Sequence, residues 1–176
     1  LTGWVLYASM GVDAADFWAQ YDHMYIPELG HNVSVTDYAH TLYIRASWTE
    51  FNPQEDVYGW KIDSNLRAYI EGAYQRNMRL AFRVVVDSRD KRTEFTPQFV
   101  KDAGAKGFMN KGKWSPYSDD SVFQKYYTKF VKALAKDFND PSKVEFIDGF
   151  GLGKWGEYHT MIYSTGDDTP KKAVFD

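Results

Sequence analysis

A chain of 176 residues with a net charge of −3 and 26% charged side chains suits one domain and shows no basic face for nucleic acid. No apolar run approaches the ~20 residues a membrane helix needs, and the absence of cysteine excludes disulfides, thiolate metal sites and a cysteine nucleophile. Hydrophobic residues, 44%, are enough for a core, and the unusual number is the aromatic share, 18%. Trp and Tyr rings offer flat apolar surface with a polar tip, which suits sugar rings as well as cores.

In chain order, Trp4 to Ser9 ("WVLYAS") reads as a short strand. Asp13 reads as the N-cap of a helix with Phe17, Tyr21 and Met24 at helical spacing, and Gly30 to Asp37 as a loop. His40 to Trp48 ("HTLYIRASW") is the next strand; alternation puts Leu42, Ile44 and Ala46 on one face and Tyr43, Arg45 and Ser47 on the other. A loop broken by Pro53 and Gly59 leads to a helix buried through Ile62, Leu66, Tyr69, Ile70 and Ala73, ended by Asn77. Arg79 to Val86 ("RLAFRVVV") is a nearly continuous apolar strand interrupted by Arg83, as expected in a parallel sheet covered on both faces. Asp87 to Asp120 is irregular, with one short helix near Pro97 to Ala103. Ser121 to Phe138 is a helix with Val122, Tyr126, Phe130, Val131 and Leu134 at helical spacing, and the strand Val144 to Phe150 follows. Residues 164–176 are polar and read as a tail behind a domain spanning 1–163.

Alternating strands and helices imply parallel strands joined by right-handed crossovers. No Gly-rich phosphate loop follows the first strand, which weighs against a nucleotide-binding sheet. Polar and aromatic residues gather after strand C-termini: Trp48 and Glu50, Asp87 to Asp90, and Trp155 to His159. Barrels and open α/β sheets both place their sites there.

The segments "RASWTEFNPQEDVYGW", "RLAFRVVV", "TPQFVKDAGAKGF", "SPYSDDSVFQKYYTKFVKALAKDF" and "VEFIDGFGLGKWGEYH", in that order, resemble the amino-terminal half of TIM-barrel glycoside hydrolases. The resemblance covers roughly residues 40 to 160 and points to the β-galactosidase-like family 42 and its uncharacterised relatives within the clan of retaining glycosidases. It implies an α/β fold, a partial (β/α)8 TIM barrel of about the first four strand-helix units. It also implies that Glu157 is the general acid/base at the end of the fourth strand. The clan carries asparagine directly before that glutamate, where this chain has Gly156. The clan's nucleophile glutamate ends a seventh strand, which has no counterpart here. A barrel of eight units needs ~250 residues, so the expected partner is either a missing carboxy-terminal half or a second copy in a homodimer.

Glycoside cleavage needs two carboxyl groups astride the bond, ~5–5.5 Å apart in retaining and ~6.5–9.5 Å in inverting enzymes. Glu157 between Trp155 and Tyr158 is the first candidate, and Asp148 the second. Arg45 and Arg83 lie in strands that read as buried, where a guanidinium needs an anion such as Asp148 or Glu145; at a barrel mouth the same groups can hold a catalytic carboxylate ionised or bind sugar hydroxyls. Trp48, Trp155 and Tyr158 can stack on sugar faces, and His159 can bond a hydroxyl or orient Glu157. His23, His31, His40 and His159 show no metal-ligand spacing, no cofactor is expected, and no G-x-S-x-G elbow is present. The expected activity is hydrolysis of β-linked glycosides. The alternatives are a non-catalytic carbohydrate-binding module or an inactive barrel fragment. The start at Leu1 reads as a trimmed or mature chain, and a secreted or periplasmic location goes with that reading.

Overall fold

The computed structural model describes residues 3–87, 93–110, 112–149, 153 and 155–157. The elements are β1 (Trp4–Tyr7), α1 (Ala14–Asp22), β2 (Met24–Ile26), β3 (His31–Val33), a 3₁₀ turn at Val35–Asp37, β4 (Ala39–Ser47), α2 (Trp48–Phe51), α3 (Gly59–Ile62) and α4 (Ser64–Gln75). They continue with β5 (Arg79–Val85), α5 (Gln98–Asp102), β6 (Gly107–Asn110), β7 (Lys113–Pro116), α6 (Ser121–Phe138) and β8 (Val144–Ile147).

Strands β1, β4, β5 and β8 form a four-stranded parallel sheet in that order. The other strands form two antiparallel ribbons, β2–β3 and β6–β7. The expected partial TIM barrel of four successive strand-helix units is corrected by this order. Two ribbons interrupt the alternation, and three helices lie between β4 and β5. The fold class is α/β with a parallel four-stranded sheet. The misreading has a physical source. Ribbon strands of three or four residues are too short for a period of two to stand out from loop sequence.

Helix starts follow local chemistry. Asp13 Oδ1 accepts from Ala15 N at 2.8 Å, Asp63 Oδ1 from Leu66 N at 2.7 Å, and Asp120 Oδ1 from Val122 N and Phe123 N at 3.0 and 2.9 Å. Each carboxylate satisfies amides that a first helical turn leaves without partners. After α4, Asn77 takes a left-handed φ of 56°, a conformation asparagine tolerates better than most residues.

The chain divides into two compact units. The first comprises Leu1–Arg45, Trp60–Phe82 and Asp140–Ile147. Leu42, Ile44, Leu80 and Phe82 of the two inner strands are completely buried there. Helix α1 packs against α4, with Phe17 and Tyr69 ring centroids 4.9 Å apart. The polar ends of these buried aromatics are satisfied: Tyr69 OH donates to Ser9 O at 2.8 Å and Trp18 Nε1 to Ala68 O at 3.3 Å. The Arg76 guanidinium stands 4.3 Å from the Trp18 ring and pairs with Asp22. Leu66, Tyr69, Ile70 and Ala73 form the expected buried stripe, while Ile62 belongs to α3 and is 60% exposed.

The second unit comprises Ala46–Gly59, Arg83–Asn139 and Asp148–Asp176. Its core is aromatic. Trp48 lies with Tyr127, Phe130, Phe123 and Phe99 at centroid distances of 5.2, 5.8, 6.0 and 6.4 Å. Helix α5 packs against α6 and buries Val100. The residues α6 buries are Phe123, Phe130, Leu134 and Phe138. Of the expected stripe, Phe130 and Leu134 hold, and Val131 is exposed. Among the described residues, no helix is long and apolar enough to cross a membrane.

Candidate functional site

Arg83 interrupts the apolar run of β5, and its surroundings supply the counter-charge such a position requires. Its Nε donates to Asp148 Oδ2 at 2.7 Å, and its Nη1 donates to Glu157 Oε1 at 3.1 Å. The three side chains are 21%, 29% and 35% exposed, so each is partly withdrawn from water and still reachable. All three belong to the second unit. Charge-assisted bonds of this kind are short and directional, so one guanidinium fixes two carboxylates 65 and 74 positions away in sequence.

A turn delivers Glu157. Gly153 and Gly156 have φ of 75° and 67°, and Trp155 between them has φ of 62°. Gly156 N donates to Gly153 O at 3.0 Å and closes the turn. Glycine adopts left-handed backbone freely, whereas tryptophan there costs about 1–2 kcal/mol. The surrounding structure must hold that strain. Glu157, next to this turn, reaches the guanidinium already bonded by Asp148, the first residue after β8. The Trp155 ring remains 38% exposed.

The other expected site residues fall elsewhere. Trp48 is 0% exposed, and its ring is enclosed by the aromatic core of the second unit, so a sugar has no access to it. Arg45 belongs to the first unit and is half-buried. Tyr158 and His159 lie outside the described residues, as do Arg89, Asp90 and the polar tail 164–176. Glu50 is occupied in a capping box: its Oε2 accepts from Ser47 N and Ser47 Oγ, both at 2.7 Å, while Ser47 Oγ accepts from Glu50 N. Asp87 is buried and accepts from Ser115 Oγ at 3.2 Å. Among the described residues, no group of three or more His, Asp or Glu could hold a metal ion.

One charged pair escaped the sequence reading. Glu145 pairs with Arg79, not with Arg45 or Arg83. The signal was present as two arginines four apart on β5 and two acids three apart along β8 and its end. Only the strand register joins them into pairs.

No protein-family model and no curated protein matches the chain. Among solved structures, the chain is similar to xylanase B from Clostridium stercorarium F9, with 14% identity and a TM-score of 0.48. The match covers 94% of this chain, which spans 44% of that structure's length.

Proposed function

We propose that the chain is a glycoside hydrolase-like module acting on β-linked sugars at the Arg83 cluster. Glu157 serves there as general acid/base and Asp148 is the second carboxylate. The observation that carries this reading is the pair of bonds from Arg83 to Asp148 and Glu157. Glycoside cleavage needs two carboxyl groups flanking one bond, and the shared guanidinium gathers two partly exposed ones. Trp155, with its ring 38% exposed, is the candidate platform for a sugar face. In the forward step a carboxylic acid gives its proton to the glycosidic oxygen as the bond to the anomeric carbon breaks. The other carboxylate stabilises the positive charge developing on the ring, and a solvent water then bonds to the anomeric carbon and gives its proton back to the acid/base.

The test is turnover of chromogenic aryl β-galactosides and β-xylosides by the chain and by Glu157→Gln. The substitution is expected to lower turnover by about 100-fold or more. Turnover unchanged by it would refute the assignment. A second reading, a binding module without catalysis, is favoured by the same Arg83–Glu157 bond, because an acceptor engaged by a cation serves recognition as well as chemistry. It predicts no turnover, together with calorimetric sugar binding that is lost in Trp155→Ala.

A further inference from the structure

Two breaks in strand register occur at one end of the sheet. Between β1 and β4 the pairing steps from Trp4–Ala39 to Val5–Thr41, leaving His40 as the extra residue. Between β5 and β8 it steps from Leu80–Val144 to Ala81–Phe146, leaving Glu145 as the extra residue. A bulge takes its extra residue out of strict alternation and re-aims the side chain. Both bulged residues line the same cleft, about 420 Å³ in volume, together with Trp4, Thr41, Arg79 and Phe146. All of these belong to the first unit, whereas Arg83, Asp148 and Glu157 belong to the second.

The cleft is built rather than left over. The Glu145 side chain is 5% exposed and is matched by Arg79. A buried carboxylate is costly without a cation, and Arg79, its side chain 43% exposed, supplies that cation at the wall of the cleft. Gly3, at φ 149°, leaves room for the His40 ring, since a Cβ there would lie 2.6 Å from His40 Cδ2. Trp4 is 77% and Phe146 41% exposed, large rings with faces open to solvent. Phe146 is steadied by Tyr43, at a centroid distance of 6.0 Å.

We propose that this cleft is a sugar-binding site that takes one neutral pyranose ring. Arg79 and Glu145 cancel each other's charge, so the lining favours neither an anion nor a cation. What remains is an apolar ring surface beside fixed donors and acceptors. A sugar has that composition, with C–H groups on its faces and hydroxyls around its rim. Trp4 and Phe146 are the platforms, and Arg79, Glu145, His40 and Thr41 are the hydroxyl partners. The site stands independently of the proposed function at the Arg83 cluster.

The experiment is calorimetric titration with methyl β-xyloside and methyl β-galactoside of the unmodified chain and of Trp4→Ala, Glu145→Gln and Glu157→Gln. Trp4→Ala is expected to weaken binding about 10-fold, and by the same factor in the Glu157→Gln background. Because Trp4 is exposed, its replacement keeps the fold, which circular dichroism verifies, so the result stands even if Glu145→Gln unfolds. Absence of binding to either glycoside overturns the proposal. So does binding that survives Trp4→Ala at full strength, or binding that Glu157→Gln abolishes and Trp4→Ala spares, which would move the sugar to the other unit.

Discussion

Arg83 shows what a single residue can and cannot announce. A guanidinium within "RLAFRVVV" signals a required anion, and the sequence named Asp148 among the candidates. Which arginine would meet Glu157 was not legible, because the bond depends on a turn with three left-handed residues that place an acid 74 positions away. A simpler pair in the first unit gives a measurable pH effect. Hydrogen bonds from Arg76 hold the Asp22 carboxyl below the usual carboxylate range. A folded-state value below the unfolded one contributes stability above the unfolded value, near 3.9, and loses it as pH falls through the folded value. Asp22→Asn is therefore expected to cost about 1 kcal/mol at neutral pH, the modest figure reflecting partial exposure. Denaturant titrations should show that difference shrinking as pH falls below the unfolded carboxylate value. A difference that stays constant down to acid pH would assign the effect to packing instead.

Among the elements, α6 tests how far periodicity alone can be trusted. Its limits, Ser121–Phe138, coincide with the segment read from the sequence, and Asp120 caps it. Its phase was less legible, since Phe, Tyr, Val and Leu occur on more than one face and two adjacent apolar residues compete for the core. Phe130 is buried and its neighbour Val131 is exposed. Leu134→Ala should destabilise the chain by about 2–5 kcal/mol in urea unfolding, and Val131→Ala by no more than about 0.5 kcal/mol. Asp120→Ala should cost about 1 kcal/mol through the two amides it leaves unbonded. Equal losses at 131 and 134 would contradict the observed burial.

For the whole molecule, the outer strands of the sheet decide behaviour in solution. β1 and β8 end the strand order, and Trp4, Val5, Tyr7, Phe146 and Ile147 are exposed on them. Edge strands normally carry charge that discourages pairing, yet Trp4–Tyr7 carries none. Two copies of β1 running antiparallel therefore place no like charges opposite each other. Light scattering is expected to give a mass above that of one chain, rising with concentration, and Tyr7→Lys should return the protein to monomers. A single-chain mass at every concentration would refute self-association through this edge.

The sequence by itself determined the α/β class, the inner strands, the cap at Asp13, the limits of α6, and the need of Arg83 for an anion. These features depend on interactions within a few residues or on the solvation cost of one side chain. Tertiary structure alone decided the two ribbons, the burial of Trp48 inside the second unit, and the bulges that set His40 and Glu145 in one cleft. It also decided which acid meets which arginine. Those outcomes turn on strand register, where a shift of one residue exchanges the faces of a strand. Local propensity carries no record of which distant residue will stand opposite.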